Sequence, residues 1–252
     1  MPTKDLASLL PSPPSNSQLV PMHDLKLAFV PTGPQPAPLM IVGEAPTKDD
    51  CARREPFTGY IGKFIDECLA AAGWTGIPAF RTHVARSQPP SDNVDLLFAG
   101  KVKDRTTEHV LRDGKWADPA VIAGAQLLRQ EVAACKPTVV IALGNVALWA
   151  LTGKWGVRKW RSSILQAEVD GHKFKVIPTY APKAVYREWT LRPLVIHDMR
   201  RARTEFDRGP IVAKPPWRFV VRPTYQQAHA VLAHLLHLLD TTREPLKLSS
   251  DI

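Results

Sequence analysis

Two short apolar runs, Leu39-Met40-Ile41-Val42 and Thr138-Val139-Val140-Ile141-Ala142-Leu143, each end on a glycine, Gly43 and Gly144. Runs of four to six apolar residues without polar alternation read as strands buried on both faces, which occur in parallel sheets covered by helices. Between them the chain carries helical periodicity. Ile61, Phe64, Ile65, Cys68, Leu69 and Ala72 repeat at three- and four-residue spacing and stop at Gly73. Ala120 to Ala134 reads as a second helix, Asn145 to Leu151 as a third and Leu191 to Phe206 as a fourth. Phe80 to Ala85 predicts another strand, and Ser163 to Val169 with His172 to Ile177 a hairpin turning at Asp170-Gly171.

Strands alternating with helices imply a three-layer α/β/α sandwich with a mainly parallel central sheet. Ligands of such sheets bind at the carboxyl ends of the strands. Those ends hold Gly43-Glu44, His83, Gly144-Asn145 and Pro178-Thr179-Tyr180. A polar insert, Ser91 to Asp118, with Lys101, Lys103, Arg105, His109, Arg112 and Lys115, is either a solvated excursion or an arm that touches a polyanion.

The prolines crowded between residues 8 and 38 block regular hydrogen bonding, so residues 1–37 are expected to be a disordered segment and order to begin near Leu39. The main domain is expected over 38–208, closed by Gly209-Pro210 and Pro215-Pro216, and a separate segment over 209–252. The formal charge of +9 favours a polyanionic partner such as nucleic acid. Cys51, Cys68 and Cys135 have no paired spacing, which excludes a disulfide framework and a zinc site and points to a reducing compartment. With no apolar leader or spanning run, a cytoplasmic protein of a bacterial or phage-infected cell is expected, without a membrane partner.

Four segments in order carry a family resemblance. They are Gly43-Glu44-Ala45-Pro46 with Glu55 to Asp66, then Gln88-Pro89-Pro90, then Pro137 to Gly144, then Ile177-Pro178-Thr179-Tyr180-Ala181-Pro182-Lys183-Ala184-Val185-Tyr186-Arg187. Together they resemble family four of the uracil-DNA glycosylases over about Pro38 to Phe206. The resemblance implies excision of a flipped uracil by hydrolysis of the N-glycosidic bond, with uracil-containing DNA as partner and roles in DNA repair or replication. It places Glu44, Ala45 and His83 at the chemistry. Gly43, Pro46, Phe57 and Thr179 would hold the base, and Arg161, Lys183 and Arg187 the DNA backbone. Pro182 to Arg187 would form the loop that presses into the duplex.

Two residues depart from it: His83 stands where the family has a base-reading asparagine, and Ala181 where it has a histidine that steadies the departing anion. Ala45 stands where the best-studied branch of the superfamily has a water-activating aspartate, an absence that family four shares. The family's iron-sulfur cluster needs four thiolates, two of them at places aligned with Ser87 and Gly124, and three scattered cysteines cannot supply them; no cofactor or metal is expected. The alternative reading is a catalytically weakened uracil-sensing or DNA-binding module serving a DNA polymerase. A nucleotide-binding enzyme of another kind is disfavoured, because no glycine-rich phosphate loop follows any strand. Beyond Pro216, Trp217 to Val221, Tyr225 to Leu239 and Leu246 to Ile252 resemble the opening of a family A polymerase proofreading domain, with Asp251 as its first carboxylate. That suggests a phage-type fusion of glycosylase and polymerase.

Overall fold

The computed structural model describes residues 27–100, 108–212, 222 and 224–242. They belong to two units, Met1–Val212 and Ala213–Ile252.

The first unit is built on a five-stranded sheet in the order β2-β1-β6-β8-β7, comprising β1 (Leu39–Gly43), β2 (Ala79–His83), β6 (Val139–Leu143), β7 (Leu165–Val169) and β8 (His172–Thr179). β1 pairs in parallel with β2 and β6, and β6 with β8; β7 closes the edge as the antiparallel arm of a hairpin. The mainly parallel sheet is thus the one the apolar runs imply.

Alternation along the buried strands divides the core in two. Met40, Val42, Val140, Ala142 and Val176 face α3 (Pro119–Cys135) and α4 (Asn145–Thr152). Leu39, Ile41, Val139, Ile141 and Ile177 face α2 (Gly59–Ala71) and α7 (Arg192–Asp207). Both faces are covered, which explains why the central strands β1 and β6 lack polar positions. Short helices occupy the loops after the strands: α1 (Lys48–Arg53) after β1, α5 (Val157–Trp160) after α4, and α6 (Pro182–Arg187) after β8.

Packing begins earlier than the prolines suggest. Phe29 and Ala37 are buried, Ala28 N–H donates to the Arg86 carbonyl, and Thr32 bridges Arg81 on the outer edge of β2. The proline-rich chain lacks helix and sheet periodicity, yet residues 27–37 still pair with an exposed edge strand.

The polar insert is not a plain loop. It makes two 3-10 turns, Pro90–Asp92 and Val94–Leu97, and a small antiparallel sheet of β3 (Phe98–Ala99), β4 (Val110–Arg112) and β5 (Lys115–Ala117). Phe98 sets its ring edge-on to buried Trp149, and Trp149 Nε1 donates to the Arg112 carbonyl, so the sheet caps the core. Lys101, Lys103 and Arg105 lie outside the described residues.

In the second unit, α8 (Tyr225–Thr242) contains the expected helix, while Trp217 to Val221 and Leu246 to Ile252 lie outside the described residues. Among the described residues, no helix is long and apolar enough to cross a membrane.

Candidate active site

A cavity of about 190 Å³ opens at the carboxyl ends of β1, β2, β6 and β8. Gly43, Glu44, Ala45, Phe57 and His83 line it, as do Ala181, Lys183 and Arg187 on the opposite side. The turns after parallel strands converge there because every strand of the parallel set points the same way.

Glu44 follows the last residue of β1 and reaches sideways under the first turn of α4. Its Oε1 accepts the Val146 N–H at 3.1 Å. Gly144, at φ 97°, makes this approach possible: a Cβ there would collide with the Glu44 carboxyl, and the left-handed backbone itself favours glycine. Burial pushes the Glu44 pKa up to about 7, against the backbone N–H groups of Val146 and Asn145, which pull it down. A carboxyl group in this state exchanges its proton near neutral pH.

Phe57 and His83 form the cavity's inner side. The Phe57 ring is buried and held with its backbone in the left-handed region, φ 57°. A non-glycine residue there stores roughly 1–3 kcal/mol of strain, a cost concentrated at sites that need fixed side chains. The two rings meet at 4.3 Å between centroids, and Phe29 closes on His83 from another side, edge-on at 5.2 Å. Any side chain at Gly43 would strike both the His83 and Phe57 rings, so that glycine is required by close packing.

Behind His83 lies Asp50, a residue the sequence reading missed. Its carboxylate accepts the Thr58 N–H at 2.7 Å, the Thr58 hydroxyl at 2.8 Å and the Thr47 N–H at 2.9 Å. Its Oδ2 stands 3.4 Å from His83 Nε2, an electrostatic approach longer than a well-formed hydrogen bond. Burial opposes the Asp50 charge, but His83 and the N–H groups of Thr47 and Thr58 outweigh it and hold the carboxyl well below the usual carboxylate range. Burial pushes the His83 pKa down despite Asp50, so the imidazole is neutral at pH 7. Thr47 and Asp50 also form a reciprocal cap on α1. The Thr47-x-x-Asp50 spacing was the available signal for it.

The side opposite Glu44 is different. Ala181 lines the cavity and precedes α6 with no side-chain bond to offer. Lys183 Nζ is 2.7 Å from Asp92 Oδ2 across the cavity mouth, and Arg187 is exposed. Asp92 and Asp95 line the cavity as well.

Three expected contacts fall elsewhere. Thr179 is fully buried, and its hydroxyl donates at 2.7 Å to Asp198 on α7, away from the cavity lining. Arg161 grips the same Asp198 through two nitrogens, at 2.6 and 3.2 Å, so its guanidinium balances a buried carboxylate and is not free for a phosphate. Pro46 is buried beside the lining residues Ala45 and Thr47 but is not itself among them.

A thiolate-bound iron-sulfur cluster does not fit this chain. The three cysteines are free and unclustered, and no group of three or more His, Cys, Asp or Glu among the described residues could hold a metal. At Gly124 a Cβ would collide with the Val84 carbonyl, so α3 packs directly on the backbone just past β2. Arg86 closes the same region through Glu131 at 2.6 Å and the Thr82 hydroxyl at 3.0 Å.

The fold and cavity define an α/β domain in which the Glu44 carboxyl, the neutral His83 imidazole and the Phe57 ring line one cavity at the strand ends. Residues 30–203 match the sequence profile of the Uracil DNA glycosylase superfamily, and the chain belongs to that superfamily. The chain is similar to a Type-4 uracil-DNA glycosylase of Archaeoglobus fulgidus, 28% identical over 186 residues, covering 71% of this chain and 83% of that one. Another Type-4 enzyme, from Pyrobaculum aerophilum, is 28% identical over 183 residues, 70% of this chain and 83% of its own. A third, from Saccharolobus solfataricus, is 23% identical over 185 residues, with 71% and 76% covered.

Proposed function

We propose that this chain is a DNA glycosylase that binds a uracil nucleotide extruded from DNA and hydrolyses its N-glycosidic bond in the service of repair. The observation that carries the reading is the Glu44 carboxyl, enclosed beside Phe57 and His83 at the cavity and poised near pH 7. In its ionised form Glu44 favours positive charge developing on the sugar and takes a proton from the attacking water. Phe57 offers its face to the base. His83, neutral, turns Nε2 to Asp50 and keeps Nδ1 as an acceptor for the base edge. Lys183 and Arg187 at the rim meet phosphates, Lys183 by exchanging Asp92 for the DNA.

The reading is tested by single-turnover release of uracil from a labelled oligonucleotide, with alkali cleavage exposing abasic sites. Uracil release by the native chain, lost in Glu44→Ala and Phe57→Ala, is expected. A native chain that releases no uracil at long times sinks it.

A second reading is a module that binds uracil without excising it. It is favoured by Ala181, which leaves the α6 side of the cavity with no imidazole to donate to the leaving base. A service to phage-type replication, with a polymerase fused or encoded nearby, is the finer form of either reading and rests only on the residue pattern around Asp251. A downstream reading frame without polymerase motifs would remove it.

A further inference from the structure

Next to the cavity mouth, three aromatic rings face solvent: Tyr60 is 56% exposed, Tyr186 44% and Trp189 58%. Ile61, next to Tyr60, and Arg187, next to Tyr186, line the cavity, and Trp189 continues the row from Tyr186 at 6.1 Å between ring centres. They are fixed in place. Tyr60 and Tyr186 meet edge-to-face at 4.8 Å, the Tyr186 hydroxyl donates to the Tyr60 carbonyl, and Phe64 packs against both Tyr186 and Trp189. Arg192 sets its guanidinium 5.6 Å from the Trp189 ring centre. A rigid, contiguous, exposed aromatic surface marks a binding site, and aromatic faces beside cations match the stacked bases of a single strand.

The α6 segment supplies a second, independent argument. It was expected to press into a duplex, but it is helical, with Pro182 and Val185 buried, Tyr186 tied to Tyr60 and Lys183 tied to Asp92. Its one other apolar side chain, half-buried Ala184, is a single methyl group, too short to enter a base stack and hold the gap left by an extruded nucleotide. A single strand has no pairing to break and no such gap to hold. The charge around the mouth also sets a direction. Lys183 is paired to Asp92, while Arg187 on α6 and Arg192 against Trp189 place positive charge beside the rings, which draws a polyanion along them.

We propose that Tyr60, Tyr186 and Trp189 form a stacking platform for bases flanking the extruded nucleotide, and that the chain takes single-stranded DNA in preference to duplex. The proposal rests on the cavity being a nucleobase site.

The test uses the full chain and an oligothymidylate of about 20 nucleotides, longer than the roughly 4–16 nucleotides such surfaces cover. It carries no uracil, and the same strand annealed to its complement is the comparison. Fluorescence anisotropy is expected to show tighter binding to the single strand. Tyr60→Ala and Trp189→Ala should each weaken it by roughly 5- to 150-fold, the range for losing one base-stacking ring, with duplex affinity unchanged. Both rings are exposed, and matching thermal melts would show that the variants are folded. Equal affinity for the two forms, or single-strand binding untouched by both variants, overturns the platform. Uracil release is measured separately. Its absence alongside a single-strand preference lost in both variants refutes excision and leaves the platform standing; uracil release from duplex as fast as from single strands, in native chain and variants alike, refutes the platform alone.

Discussion

The two sides of the cavity were built from the same kind of element, a strand end and the turn after it, and they ended with opposite chemistry. At the end of β1, Gly43 and Gly144 clear the space into which Glu44, Phe57 and His83 are packed. At the end of β8, Ala181 offers the cavity no polar group, and the polar groups nearby are already engaged: Thr179 with buried Asp198, Lys183 across the mouth with Asp92. A chain of this superfamily can therefore keep the acid and ring side intact while its other side loses side-chain donors. If catalysis survives here, the β1 side carries it.

The largest effect is expected from removing that acid. Glu44→Gln should lower uracil release by roughly 10²–10⁴-fold, the usual contribution of a positioned acid or base. In the native chain the rate should climb as pH rises through about 7, because the working form is the carboxylate. Stability should move the opposite way. A carboxyl whose folded pKa is raised from 4.5 to about 7 is stabilising as the neutral acid, fully so below about pH 4.5, and that stability is lost as pH rises through 7. Glu44→Gln escapes this loss. Denaturant melts at pH 8 should show the variant gaining roughly 1–3 kcal/mol relative to the native chain compared with pH 4. A flat pH–rate profile with no relative gain would mean that Glu44 is an ordinary solvated acid and that the two sides do not differ in this way.

The bare side can be refilled. Ala181 has an extended backbone, φ −66° and ψ 143°, that any residue adopts, and it lines the cavity. Ala181→His adds a donor on the side where a leaving base would carry charge. One such donor is worth roughly 10²–10³-fold in rate, so single-turnover uracil release should rise by about that factor. An unchanged rate would show that Lys183 already does this work, and the comparison of the two sides would have to be redrawn.

The sheet, its helices and the β1 side of the cavity were legible because each rests on local pattern: unbroken apolar runs, three- and four-residue spacing, glycines at strand ends. Asp50 escaped because its partners, Thr58 and His83, come from distant turns, and only its cap with Thr47 is local. The insert shows no strand pattern in sequence, since its three strands span two or three residues each, too short for alternation to register. Arg161 was read as free for DNA because a basic and aromatic run says nothing about an acid on another helix, and Asp198 is on α7.

Thr179 is the instructive miss, since side-chain parity held the answer. Ile177 packs among residues of α7, and a residue two positions along a strand faces the same way, so Thr179 also points to α7 and not into the cavity. Thr179→Val keeps the shape and removes only the hydroxyl that donates to buried Asp198. Arg161 still pairs that carboxylate, so the expected loss is about 1–2 kcal/mol of stability, read from denaturant melts, with affinity for uracil-containing DNA unchanged. The reverse pattern, weaker binding at native stability, would return Thr179 to the cavity and give the β8 side a polar contact after all.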